Sequence, residues 1–344
     1  LATNYGRIIF NVYVLFLTAF LIYYDRKILL LLSLSIFLSS FVNLPAYWKL
    51  EERAYLYGGR LTGSLQSPLI LGLWMTIVFL IGIGLFMIAK KTWAKIPLAI
   101  SLIIVASFLL WTSSRAAWLA LAFSLLLWLL FYLQKKDWRK LTNFILISTI
   151  SLFLGYLILP HKQLQVKDFV RERVSNFSHS LITLQPSSVE SQSQIRLWPG
   201  VTDFVIHHPL GSGFGLYAKE QLILKIGDTI STNSFLELGL YGGIGAILIF
   251  LATLFKLGKR AVVAIKTYTP GFSEMKLVWI LSGAALIVDI FFTDAFLWRH
   301  VWFVLGMFLG IIFIEHTHPT IEKNPKISTW NLPPKADPSR EENP

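Results

Sequence analysis

The feature that most constrains the fold of this chain is a succession of apolar runs, each close to the length of a bilayer crossing. Ile96–Trp111 and Ala116–Leu133 are two of them, and about 17–25 such residues in helical form traverse a membrane. Lipid offers the backbone no hydrogen bonds, so a chain built from such runs pairs its polar groups inside helices. The expected fold class is therefore all-α, a polytopic helical membrane protein. Composition agrees: 55% of the 344 residues are hydrophobic and 15% are charged. No cysteine is present, which excludes disulfides, thiolate metal sites and cysteine nucleophiles. The chain opens LATNYGR, with neither an initiator Met nor a basic n-region of a signal peptide.

The runs give about nine spans, near 8–24, 28–42, 69–89, 96–112, 116–133, 143–160, 234–255, 277–297 and 301–315. Charge orients them. The connections at 25–27, 90–95, 134–140 and 256–276 carry fourteen Lys and Arg, whereas those at 43–68, 113–115 and 298–300 carry five. Basic connections stay in the cytoplasm, so the first set is expected inside. The net charge of +12 is then an orientation signal and calls for no nucleic acid. One long segment, 161–233, falls outside between the sixth and seventh spans. Residues 1–315 read as a single transmembrane domain, and 316–344, rich in Pro, Glu and Lys, as a disordered cytoplasmic tail. Nine spans with the end inside leave residue 1 outside. The simplest account is a truncated start, with one or more earlier spans missing.

Between the two runs quoted above lies Thr112-Ser-Ser-Arg115, an arginine with almost no loop to solvate it. Three helix starts on the expected outer face share a design. Ser67 precedes Pro68, Ser114 precedes Arg115, and Ser234-Phe-Leu-Glu237 fits a capping box. Each directs unpaired N–H groups and the positive end of a helix dipole outward. Within the long segment, Val166, Val170, Val174, Phe177 and Leu181 mark one helical face. A second helix over 195–206 would turn Leu197, Trp198, Val201 and Val205 inward and end at the glycine-rich His207-His-Pro-Leu-Gly-Ser-Gly-Phe-Gly215. That turn could bring the N–H groups around Gly213 to an anion. Arg60, Arg115 and Arg196 share this compartment, and arginines beside helix starts suit a di-anionic phosphate group. Each also has a plainer reading. A boundary arginine often snorkels to lipid headgroups, Glu237 fits a cap, and His207 and His208 fit a surface loop. Asp289 and Asp294 lie in the eighth span, where a carboxylate suggests function, although Asp294 fits a simple pair with Arg299.

Taken in order, Arg60-Leu-Thr-Gly63 with Ser67-Pro68, TSSRAAW (112–118), Gln194-Ile-Arg196-Leu-Trp198, HHPLGSGFG (207–215) and Thr232-Asn233-Ser-Phe-Leu-Glu resemble the O-antigen ligase and O-antigen polymerase superfamily. The resemblance covers about residues 60–250. It implies a metal-independent glycosyltransferase of the bacterial cytoplasmic (inner) membrane, without cofactor. Such an enzyme moves a glycan from an undecaprenyl-pyrophosphate-linked donor to a hydroxyl on a glycan or lipid acceptor. By that resemblance Arg115 and Arg196 hold the pyrophosphate, and Arg60 and Asn233 line the same cavity, with Ser114, Gly213 and Thr232 beside them.

The sequence departs from the family at Thr232, where a histidine usually precedes the asparagine and serves as base. Threonine takes no proton near neutral pH. The base is then His208 or Glu237, the nearest candidates in sequence, or leaving-group stabilisation carries the reaction, or the chain is no transferase. Neither a DxD pair nor a Walker motif occurs, so metal-bound nucleotide sugars and ATP are not expected. Arginines can neutralise charge on a departing pyrophosphate instead. The rival class is a transporter of anions such as bicarbonate, or of a polysaccharide lipid, with the arginines forming a pathway. Against it, the arginines gather on one face.

Overall fold

The computed structural model describes residues 2–24, 27–47, 61, 67–159, 202–213, 234–266, 273–291, 293 and 299–317. Among these residues the chain is helical and contains no strand. A helix stands at each expected apolar run. In order they are α1 (Ala2–Tyr24), α2 (Lys27–Ser39, continued by a 3-10 segment Ser40–Tyr47), α3 (Pro68–Ile88), α4 (Thr92–Thr112), α5 (Arg115–Lys135), α6 (Trp138–Leu157), α7 (Ser234–Lys266), α8 (Ser273–Ile290) and α9 (Arg299–Thr317). Among the described residues five of these, α3 to α6 and the Glu237–Ile265 part of α7, are long and apolar enough to cross a membrane.

The hub is α3. Leu71, Leu73, Met75, Ile77, Val78, Phe79, Leu80, Ile81 and Ile83 are all fully buried, which is how a helix apolar on every side must sit. It packs against α2, α4, α5, α6 and α8. The surrounding helices turn apolar side chains outward: Phe123, Leu126, Ile145, Leu146 and Phe153 are exposed. In water that surface would be an aggregation hazard, and against lipid tails it is the expected finish.

Where hydrophobicity does not drive association, helices meet through small residues. Gly306 and Gly310 of α9 form a GxxxG step, and a Cβ on either would lie 2.6 Å from the Leu15 carbonyl or 2.9 Å from that of Ala19. Thus α1 lies directly on α9. Gly306→Val should lower stability by about 1–3 kcal/mol through overpacking, read as a lower Tm of the purified protein. An unchanged Tm would mean that the two helices do not meet this way.

At the other end of the bundle, Tyr132 donates to Glu274 Oε2 (2.8 Å), Lys140 Nζ donates to Glu274 Oε1 (2.6 Å), and Asp137 accepts the Lys140 N–H (3.2 Å). These bonds tie α5, α6 and α8 where the basic connections lie. The connection expected at 256–276 is partly helix, because α7 runs on to Lys266. Leu257, Ala261, Ala264 and Ile265 continue its inward stripe, so packing extends the helix past the apolar run.

Candidate functional site

The Thr112-Ser-Ser-Arg115 turn is inside the protein. Thr112, Ser113 and Ser114 are 0%, 2% and 0% exposed. Their polar atoms are consumed by the two helix ends they join. Thr112 Oγ1 donates to the Leu109 carbonyl (2.7 Å) and accepts the Ser114 N–H (3.4 Å). Ser113 takes a left-handed conformation (φ 50) and gives its N–H to the Leu110 carbonyl, closing α4. Ser114 caps α5, its hydroxyl accepting the Ala117 N–H at 3.4 Å. Ser67 and Pro68 open α3 as expected, but Ser67 makes no side-chain cap.

This turn is pressed onto the start of α3. A Cβ on Gly72 would lie 2.8 Å from Ser114 Cβ and 3.1 Å from Thr112 Oγ1, so only glycine admits the turn. One helical turn deeper, Thr76 Oγ1 donates to the carbonyls of Gly72 (3.0 Å) and Ala117 (3.2 Å), stapling α3 to α5. Leu61, buried and next in sequence to Arg60, gives its N–H to the Trp111 carbonyl (3.2 Å). Three expected site segments therefore converge: Leu61, the start of α3, and the TSSR turn. Arg115, half-buried, is the first residue of α5. It adds a guanidinium to the positive end of a helix dipole, which concentrates positive charge at one point.

The glycine-rich turn behaves differently from expectation. A helical stretch over 202–207 carries Val205, buried as foreseen, and leads into His208. The turn that follows is clamped onto a break in α7 at Gly243 (φ 63, ψ −160). Unbroken, α7 would send the Ile244 N–H to the Leu240 carbonyl. Instead Ile244 donates to the Pro209 carbonyl (3.0 Å), while the Leu240 and Tyr241 carbonyls accept the N–H groups of Ser212 (2.9 Å) and Gly213 (3.0 Å). Gly211 gives its N–H to His208 (2.8 Å). The N–H groups of Gly211, Ser212 and Gly213 are all used by the protein, so they do not form the anion-facing ring that the glycine pattern suggests. The bonds of Ser212, Gly213 and Ile244 repair a helix interrupted within an apolar run, as lipid requires.

The exposed His208 ring meets Phe204 edge-on at 4.5 Å. His207, also exposed, lies beside Asp203. Glu237 is buried in the first turn of α7. Arg60, Arg196, Thr232, Asn233, Asp294 and the helical face expected at 166–181 lie outside the described residues, as do 318–344. Among the described residues no group of three or more His, Asp or Glu is placed to hold a metal ion.

Asp289 is more telling in the structure than in the sequence. It is fully buried on α8, and Thr293 Oγ1 donates to its Oδ2 at 2.6 Å. Helices α5 and α8 are antiparallel, paired by Ser124 Oγ to the Leu281 carbonyl (3.2 Å) and by Tyr132 to Glu274. Continuing that register about two turns brings Asp289 level with Ala116 and Ala117, the depth of the TSSR turn.

The stretch that holds both the buried turn and the clamped glycine loop has a counterpart among known families. Residues 100–251 match the family model described as O-antigen ligase. This match supports the resemblance to the O-antigen ligase and O-antigen polymerase superfamily that the sequence motifs carry. The matched span runs from α4 through the break in α7 and includes Arg115, Arg196, His208, Gly213, Thr232 and Asn233. Arg60, the start of α3 and Asp289 fall outside it. Comparison with curated proteins and with solved structures gives no match. The family match supports a membrane protein of surface-polysaccharide assembly, of the O-antigen ligase kind.

Proposed function

We propose that this protein is an inner-membrane glycosyltransferase that moves a glycan from undecaprenyl pyrophosphate to a hydroxyl of a glycan or lipid acceptor. The observation that carries the reading is the buried TSSR turn, set on Gly72 and joined through Trp111 to Leu61. It holds Arg115 at the point where two helix starts meet, within the stretch that matches the O-antigen ligase family.

In this mechanism Arg115 and Arg196 bind the donor's pyrophosphate, with Arg60 and Asn233 beside them. The acceptor oxygen attacks the anomeric carbon. The carbon–oxygen bond to the pyrophosphate breaks, and the undecaprenyl pyrophosphate leaves with the bonding pair. The arginines stabilise that growing charge. The acceptor proton goes to His208, since Thr232 stands where the family's usual base would be. Inverting displacement follows by analogy with the family.

The site is assigned to the outer face, with nine spans, the 161–233 segment outside and the C-terminal tail in the cytoplasm. Basic loops support that orientation. Aromatic rings hold lysines at the same end: Lys95 over Phe86 at 5.3 Å and Lys259 over Phe255 at 4.4 Å. Because the chain has no cysteine, the assignment is testable with introduced ones. Ser114 is buried and unsuitable, but Leu210 is 89% exposed and Trp138 is 64% exposed. Leu210→Cys should react with a membrane-impermeant thiol reagent in intact cells with a permeabilised outer barrier, and Trp138→Cys only after lysis. The reverse pattern would invert the topology.

A further inference from the structure

We propose that the 208–213 turn and the break at Gly243 form a backbone clasp that fixes one arm of the site against the other. The first arm is the helical stretch 202–207, which ends at His208; the second is the start of α7, which carries Glu237. The effect on transfer rests on the glycosyltransferase reading above, whereas the clasp itself is a matter of geometry.

Three inter-segment backbone bonds and the Ser212 hydroxyl, which donates to the Leu240 carbonyl at 3.0 Å, make the clasp. They do two jobs together. They satisfy groups that the helix break frees, and they close a loop of about 27 residues between Gly213 and Tyr241. The fit leaves no room for sliding. A Cβ on Gly211 would lie 2.5 Å from the Tyr241 carbonyl oxygen, and one on Gly243 would collide with the Pro209 carbonyl. Both glycines also have positive φ, 73 and 63, which other residues adopt at a cost. Val205 adds a side-chain contact, since a Cβ on Gly239 would lie 3.2 Å from Val205 Cγ2. The bonded groups are near neighbours in sequence of the candidate chemistry. Pro209 follows His208, and Leu240 lies one turn beyond Glu237. A shift of about 1 Å at such a point can cost about a hundredfold in rate.

Gly211, Gly213 and Gly243 are therefore positioning residues, and they separate from ordinary packing glycines by experiment. Purified Gly243→Ala should lose at least tenfold in kcat for glycan transfer, because His208 and the start of α7 are no longer held together. Gly245→Ala, at a position with nothing within 4 Å of the added Cβ, should keep wild-type kinetics. A further pair isolates the backbone angle. Gly213 has φ 73 but open space around it, so Gly213→Asn, whose residue tolerates positive φ, should recover much of what Gly213→Val loses. Amide hydrogen exchange reports the clasp without activity. Peptides containing 211–213 and 244 should exchange slowly in the wild type and faster in Gly243→Ala. Fast exchange in the wild type overturns the clasp. Faster exchange in Gly243→Ala with unchanged kcat overturns its positional role. A wild type that exchanges slowly but transfers no glycan overturns the transferase reading and leaves the clasp supported.

Discussion

Arg115→Lys should lose about a hundredfold or more in glycan transfer while the protein still inserts and folds. The size follows from what the residue is asked to do. Removing one donor that stabilises developing transition-state charge commonly costs about 100- to 1000-fold. Lysine keeps the charge but loses the planar fork that grips two phosphate oxygens. Position strengthens the expectation. Arg115 begins α5 directly after three buried residues, so its backbone is fixed by the turn on Gly72 and a shorter reach cannot be made up by loop movement. Arg196→Lys should behave alike if both arginines hold one pyrophosphate, and the double variant should lose less than the product of the two losses. Full activity in both Lys variants would reduce them to boundary cations that meet lipid headgroups.

The second large effect is expected at His208. If it takes the acceptor proton, His208→Ala should reduce kcat by about 100- to 10,000-fold, the usual contribution of a general base. Donor KM should change little. Thr232→Ala should lose far less, since a threonine hydroxyl cannot serve as that base. Thr232→His, which restores the family's usual residue, should rescue transfer in the His208→Ala background. Equal kinetics of His208→Ala and wild type would remove the base from this loop. Asp289, fully buried at the depth of the TSSR turn, would then be the carboxylate to test next.

The helices were legible in the sequence because their cause is local. An apolar run long enough to cross lipid must be a helix, so α3 to α6 stand where the runs stand. Ends were less legible: α7 continues to Lys266 because Ala261 and Ala264 find a partner surface, and no run length reveals a partner. The TSSR turn showed itself as an oddity, one arginine with no loop. Its burial could not be read, because the residue that admits it, Gly72, lies on another helix. The glycine-rich turn is legible in the sequence as a motif, but the partner of its N–H groups is not. Glycines at 211 and 213 suggest a nest for an anion, yet the Gly213 N–H serves the Gly243 break and that of Gly211 goes to His208. A signal for that break existed, since Gly242, Gly243 and Gly245 crowd one short stretch of an apolar run. In a membrane helix such glycines fit close packing equally well, so the break needed the partner turn to be seen.

The central claim is a chemical one and has a direct test. Purified wild-type protein, supplied with a native undecaprenyl-pyrophosphate-linked glycan and its acceptor in a membrane mimetic without divalent metal, should form glycosylated acceptor and release undecaprenyl pyrophosphate in equal amounts. Arg115→Lys should form little of either. No transfer by the wild type, together with anion or lipid-linked glycan flux through reconstituted vesicles that depends on Arg115, would contradict the account and make the protein a transporter.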